Sequence, residues 1–270
     1  MKSGMALLSA AGAIFKRDLL LFTSYRTRLF STFFSTAVSL TLFYYVSRLV
    51  NSKAVGSPDD YYAFVVVGLI IFAVLTSTLV TPVGTLRAEL QAGTFERMVL
   101  SPFGAVRAIA SLLIFPLALA LTTGILSLAF AGIAFGLDLR WDTAALAIPV
   151  AALGAIAFAP FGLAMASAVV VFKQTNAGAT LVITAVSLLA GVYFPVSLLP
   201  GWIQWASDVQ PFTPAVDLFR NLLVGTPLHD SAGVALIKLA AFALVTMPLS
   251  LLLLRSAVQR SRRRGTIIEY

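Results

Sequence analysis

The sequence predicts an all-α membrane protein. Its expected parts are six transmembrane helices, an N-terminal interfacial helix, a cytoplasmic elbow between the second and third spans, and two short re-entrant outer helices. Three observations predict this. First, of 270 residues 59% are hydrophobic and only 11% are charged, at a mean hydropathy of +0.95, whereas soluble domains carry about 25% charged residues. So few ionic groups cannot clothe a water-facing surface, and so apolar a chain does not stay solvated as a disordered coil. Second, the apolar residues gather in six runs close to the ~20 residues that cross a hydrocarbon core. Third, runs such as Phe64 to Val74 are apolar on every side, unlike the alternating segments of a strand barrel.

At the N-terminus, Leu7, Leu8, Ala11, Ile14 and Phe15 recur at helical spacing and lead into the charged stretch Lys16, Arg17 and Asp18. The pattern of residues 1–28 fits a helix lying in the interface; the alternative is a ragged start to the first span. Met5 to Phe15 behind Lys2 also has the length of a signal-peptide core, but Lys16 and Arg17 follow it at once and the segment reads as retained. Runs bounded by charge or by Gly, Pro, Asn and Asp place spans at Leu29 to Val46, Tyr61 to Thr81, Ile109 to Phe135, Thr143 to Phe172, Ala177 to about Leu199, and Val234 to Leu254. Residues 29–254 thus form a six-span bundle and 255–270 a basic tail, in one domain. From Pro200 to Gly225 the apolar stretches are too short to span and are interrupted by Pro211 and Pro214. They read as two short helices dipping into the bilayer, with Trp202 and Trp205 as interface anchors. Asp217 and Arg220, three apart on the second of them, are expected to pair and so lower the cost of lying near hydrocarbon.

Charge fixes the orientation. The N-terminal stretch, the second-to-third and fourth-to-fifth loops and the tail hold fourteen bases against four acids, a balance of +10. The other side holds five bases against seven acids, a balance of −2. By the positive-inside rule both termini lie in the cytoplasm, which an even number of spans requires. The arginines of the tail (Arg255, Arg260 and Arg262 to Arg264) are first a topology anchor; contact with anionic lipid headgroups is an added role. No aromatic or groove-reading element accompanies them, so nucleic acid is not an expected partner.

Much chemistry is excluded by composition. There is no cysteine, and His229 is the single histidine, which removes disulfides, thiolate nucleophiles and histidine-based metal centres. The sequence has no H-E-x-x-H and no G-x-S-x-G. Charged residues at mid-bilayer depth, the mark of proton relays, are missing from the six runs. There is also no G-x-x-x-x-G-K-[ST] and no Gly-Lys pair, so any ATP that drives this chain is bound by another subunit.

The stretch Leu86 to Pro102, LRAELQAGTFERMVLSP, is amphipathic. Glu89 and Glu96, seven apart, share a helix face, while Leu86, Leu90, Phe95, Met98 and Val99 supply apolar positions. Gly93 interrupts it, Thr94 is a candidate N-cap, and Ser101-Pro102 ends it. From the residues alone it is either a helical elbow along the membrane or an ordinary solvated connector. Its spacing, with Glu89, Gly93, Thr94, Glu96, Ser101 and Pro102 as E-x-x-x-G-T-x-E-x-x-x-x-S-P, resembles the cytoplasmic signature of the type-2 exporter permeases of ATP-binding-cassette (ABC) transporters. A second stretch, Gly191 to Gly225, resembles the same family's G-x-x-F-P, L-P and N-P-x-T-like turn before a short helix ending R-x-x-x-x-G; here Gln210-Pro211-Phe212-Thr213 stands at the turn.

The resemblance implies that the elbow is a coupling helix seated in an ATPase subunit. That role falls on Glu89, Gly93, Thr94, Glu96 and Arg97, with Lys16 and Arg17 of the N-terminal helix as a second contact. It also implies a dimer of permeases, expected to be a homodimer, served by two ATPase subunits that bind ATP and Mg; this chain itself is expected to hold no cofactor or metal. Small polar rows mark either close helix packing or the pathway and dimer seam. They are Ser31, Ser35 and Ser39 on the first span, and Asn176, Thr180, Thr184, Ser187 and Gly191 on the fifth. Phe194, Trp202, Trp205, Asp217 and Arg220 are the expected outer gate. The function these features imply is a permease subunit of an exporter in the cytoplasmic (inner) membrane, not an enzyme, surrounded by membrane lipids and carrying amphipathic, lipid-like or drug-like cargo. The alternatives are export of lipid-linked polysaccharide and, from another class, a lipid-modifying membrane enzyme with no ATPase.

Overall fold

The structure is a computed structural model that describes residues 2–24, 26–49, 57–95, 97, 104–172 and 176–264. Its helices are α1 (Lys2–Ser24), α2 (Arg26–Leu49), α3 (Pro58–Gln91), α4 (Ala105–Ser111), α5 (Ile114–Phe135), α6 (Trp141–Phe172), α7 (Asn176–Leu189), α8 (Gly201–Val209), α9 (Phe212–Val224) and α10 (Ala232–Arg264). Among the described residues, four stretches are long and apolar enough to cross a membrane: Pro58–Gln91, Val106–Phe135, Trp141–Phe172 and Ala232–Ser261. They correspond to the second, third, fourth and sixth expected spans. The first falls on α2.

The fifth expected span, Ala177 to Leu199, is corrected. Its helix, α7, has 14 residues and stops at Leu189, which at 1.5 Å per residue gives about 21 Å against a hydrocarbon core of about 30 Å. The chain then turns at Gly191, whose φ of +67° is a left-handed conformation that costs glycine nothing. Pro195 and a short 3-10 turn (Val196–Leu198) prevent α7 from resuming.

Local sequence sets the other ends. At the start of α3, Ser57 Oγ accepts from the Asp60 N–H (3.2 Å) while the Asp60 carboxylate accepts from the Ser57 N–H (2.9 Å), with Pro58 in the first turn. This reciprocal cap satisfies two orphan donors. Gly136, in the left-handed region, closes α5 as its N–H returns to Gly132 O and that of Leu137 to Ala131 O.

α6 lies at the centre, packed on α10 along most of its length and on α3 and α9. The core has two halves. In one, Leu40, Val66, Ile71, Leu75, Phe158, Phe212, Val216 and Leu239 are buried together; in the other, Val83, Leu86, Leu90, Ile109, Leu163, Leu254 and Val258. Tyr44 stacks on Phe135 (4.7 Å) and meets Tyr62 edge-on (5.4 Å), tying α2 to α3 and α5. Phe15 and Phe22 of α1 both meet the Phe115 ring edge-on at 5.7 Å, so the N-terminal helix docks sideways on the bundle. Phe212, fully buried at the head of α9, contacts the rings of Phe72 (5.5 Å) and Phe158 (5.1 Å). Phe72 lies about 21 Å along α3 from Pro58, so the α8–α9 pair reaches well into the bundle from one end.

Candidate functional site

The expected coupling residues meet at one end of the bundle. α3 runs without a break to Gln91, so Leu86, Glu89 and Leu90 are its last turns; they do not form a separate helix lying along the membrane, as expected. The 34 residues of α3 span about 51 Å, longer than the ~30 Å that crossing the hydrocarbon core requires. Arg17 Nη1 donates to Glu89 Oε1 at 2.7 Å, and its Nε and Nη2 hold Asp18 Oδ1 at 3.0 and 2.9 Å. The Thr94 hydroxyl donates to the Glu89 carboxylate and backbone carbonyl, so it turns back onto α3. Gly93 makes that reversal at φ +68°, with open space where a Cβ would stand. Arg97 is exposed, as is Lys16, and the Arg97 N–H reaches Thr94 O (3.1 Å). Glu96, Ser101 and Pro102 lie outside the described residues.

At the opposite end a cavity of about 740 Å³ opens between α3, the turn after α7, and α8–α9. Asp60, Asp208 and Asp217 line it with Arg220, His229, Gln204 and Thr213. Arg220 is 2% exposed. Its Nε donates to Phe64 O (3.0 Å) and its Nη2 to Val192 O (2.8 Å), and its guanidinium lies over the Phe64 ring, 3.4 Å from the centroid. The expected Asp217–Arg220 ion pair does not form: the guanidinium spends its short-range contacts on carbonyls of other segments. A buried charge needs such partners, because unpaired it would cost several kcal/mol. At the far end of α9 the Arg140 N–H donates to Leu223 O (2.8 Å) and the Thr143 hydroxyl to Leu222 O (2.5 Å), capping carbonyls that the helix leaves open. Trp202 and Trp205 are exposed, and Phe194 is half-buried beside the turn. The sequence reading missed Gly68, Phe64 and Val192, which form the Arg220 seat. The glycine inside an apolar span was the visible signal.

The two polar rows part company. Ser31, Ser35 and Ser39 are exposed on α2, next to exposed Phe30, Phe34 and Leu42. On α7, Thr184 is exposed, but Ser187 and Gly191 are buried within the chain, so the upper part of that row is internal packing. The side chains of Asn176 and Thr180 lie outside the described ones.

With helices and no strands among the described residues, and four stretches long and apolar enough to cross a membrane, the chain is a polytopic membrane protein. Residues 10–224 match the family model described as ABC-2 type transporter, and the chain belongs to that family of transporter permeases. Nodulation protein J of Rhizobium meliloti (strain 1021) is 33% identical over 116 residues, 43% of this chain and 44% of that protein. Nodulation protein J of Rhizobium leguminosarum bv. trifolii is 34% identical over 91 residues, 34% of this chain and 35% of that protein. The chain thus spans less than half the length of these relatives. Daunorubicin resistance ABC transporter permease protein DrrB1 of Streptomyces coeruleorubidus is 25% identical over 261 residues, 89% of this chain and 84% of that protein.

Proposed function

We propose that the chain is the membrane subunit of an ATP-driven exporter for amphipathic, drug-like or lipid-like cargo. Six spans, with α2 as the first and α7 together with the turn that carries the chain on to Leu199 as the fifth, place both termini in the cytoplasm, and α8–α9 re-enter from outside. Two copies form the pathway, and two ATPase subunits bind ATP and Mg. The observation that carries this reading is the Arg17–Glu89 bridge at the projecting end of α3. It fastens the interfacial helix to the helix end in front of the elbow, so a push on either is passed into the longest helix of the bundle as a rigid displacement. Glu89 is thereby a strut, and the contact face toward an ATPase falls to Gly93, Arg97 and Lys16, with Glu96 beside them.

Drug-like cargo is supported by the daunorubicin-resistance relative, which aligns over most of the chain. It also suits apolar spans that offer hydroxyls and few charges. Membership of a permease family leaves no support for the lipid-modifying enzyme. The test is purification of the tagged chain from its own membranes, assay of the eluate for ATP hydrolysis, and reconstitution in vesicles with daunorubicin as cargo. ATP-dependent accumulation of the drug supports the reading. An eluate without ATPase sinks it, and turnover stimulated by lipid-linked polysaccharide but not by the drug moves the cargo to the alternative class.

A further inference from the structure

We infer that Arg220 is a positioning residue, the pin that seats α8–α9 against α3, and that its seat exists only because residue 68 is glycine. A Cβ at Gly68 would stand 2.4 Å from Arg220 Nη2 and 2.6 Å from Val192 O, closer than real Cβ atoms come to any neighbour. One of those atoms is main chain and the other belongs to a buried guanidinium, so neither yields without moving its whole segment. Val192 O is free to accept because α7 has ended at Leu189 and the chain has turned at Gly191. Phe64 presents both its carbonyl and its ring to the same side chain.

One guanidinium therefore bonds α9 at once to α3 and to the turn after α7, segments 156 and 28 positions away. The planar fork is needed, because two carbonyls and a ring face are satisfied together only by several donors in fixed directions. α9 cannot leave α3 without stranding the charge in apolar surroundings or drawing it into the adjoining cavity, which Arg220 also lines. The seat thus gives the outer pair a discrete docked state in place of a sliding contact.

The cysteine-free chain makes the test direct. Val192→Cys introduces a thiol at a position 0% exposed, and Ser197→Cys one that is exposed. Each is placed in the full chain, purified with whatever subunits accompany it, and inserted in lipid nanodiscs so that both faces meet a water-soluble maleimide. The expected result is slow labelling at residue 192 in the parent, at least tenfold faster labelling with Arg220→Met or with Gly68→Ala, and unchanged labelling at residue 197. Arg220→Lys should not restore the slow rate. The double change Gly68→Ala with Arg220→Met should add nothing to either single change, as two ends of one contact require and independent damage does not. Unchanged labelling in both single variants, additive effects in the double, or full rescue by lysine overturns the inference. Gly68→Ala, the smallest lesion, keeps the test open if Arg220→Met fails to insert. The assay needs no transport: faster labelling with unaltered ATP-driven export leaves the pin standing and removes only the reading of α8–α9 as the exit gate.

Discussion

At the scale of single residues, the Arg17–Glu89 bridge separates stability from function. Arg17 is 39% and Glu89 15% exposed, and partly exposed pairs contribute about 1 kcal/mol or less. Reversing one charge should therefore leave insertion and thermal stability nearly unchanged, yet disconnect α1 from the end of α3. Arg17→Glu and Glu89→Arg are each expected to reduce ATP-dependent transport about tenfold, and the double swap to recover most of it, measured in vesicles with ATP hydrolysis followed in parallel. A double swap no better than the singles would show that each residue serves a separate partner. Gly93 gives a second prediction. Its left-handed backbone suits glycine or asparagine and nothing crowds its Cβ position, so Gly93→Asn should transport close to the parent. Gly93→Trp should insert normally and hydrolyse ATP without transport; full transport in that variant would make the elbow a connector only. The sequence marked these residues because charge and glycine stand out in a chain that is 11% charged. It could not show that Arg17 and Glu89 meet, 72 positions apart, nor that Glu89 would be turned inward by Thr94.

At the scale of elements, what ends a helix matters as much as what forms it. The apolar run Ala177 to Leu199 reads as one span because hydropathy is blind to backbone conformation; Gly191 and Pro195 end α7 inside it. A Cβ at Gly191 would stand 2.9 Å from Val196 Cγ2 and 3.2 Å from Phe194 O, at φ +67°. Gly191→Ala should thus strain a left-handed turn and crowd it, a cost of about 1–3 kcal/mol. The expected result is a lower thermal midpoint for the purified protein and faster labelling at Val192→Cys, since the turn presents the carbonyl that Arg220 grips. A midpoint equal to the parent would mean that the turn is loose. The first part of the elbow, up to Gln91, continues α3 for the opposite reason. Leu86 and Leu90 are at 0% and 6% exposure, and the helical register of α3 carries both into the second half of the core, so nothing bends the chain before Gly93. The capped start of α3, by contrast, was legible in outline, as Ser57, Pro58, Asp59 and Asp60 are starting residues by composition.

At the scale of the molecule, the −2 side gains its character from where its charges are spent. Among the described residues Arg48 pairs with Asp59, Arg140 with Asp142 and Lys238 with Asp230, and Arg220 is buried; of the other acids of this side, Asp60, Asp208 and Asp217, but not Asp138, line the cavity wall. The helices are unevenly covered as well. α6 is wrapped by α3, α9 and α10, whereas α2 packs on α3 and α5 and leaves Phe30, Phe34, Val38 and Leu42 exposed along with Ser31, Ser35 and Ser39. Small polar residues on that face permit close approach of a second helix. If two copies meet there, Ser35→Cys and Ser39→Cys should each form an intermolecular disulfide in native membranes under mild oxidation. Leu244→Cys, on α10 and 76% exposed, should remain monomeric if its helix face meets lipid. Crosslinking that weakens when ATP is added would further place the row at a seam that moves. Equal crosslinking at residues 35 and 244 would mean random collision, and disulfides at 244 alone would put the dimer on the other side of the bundle, with α2 left to lipid.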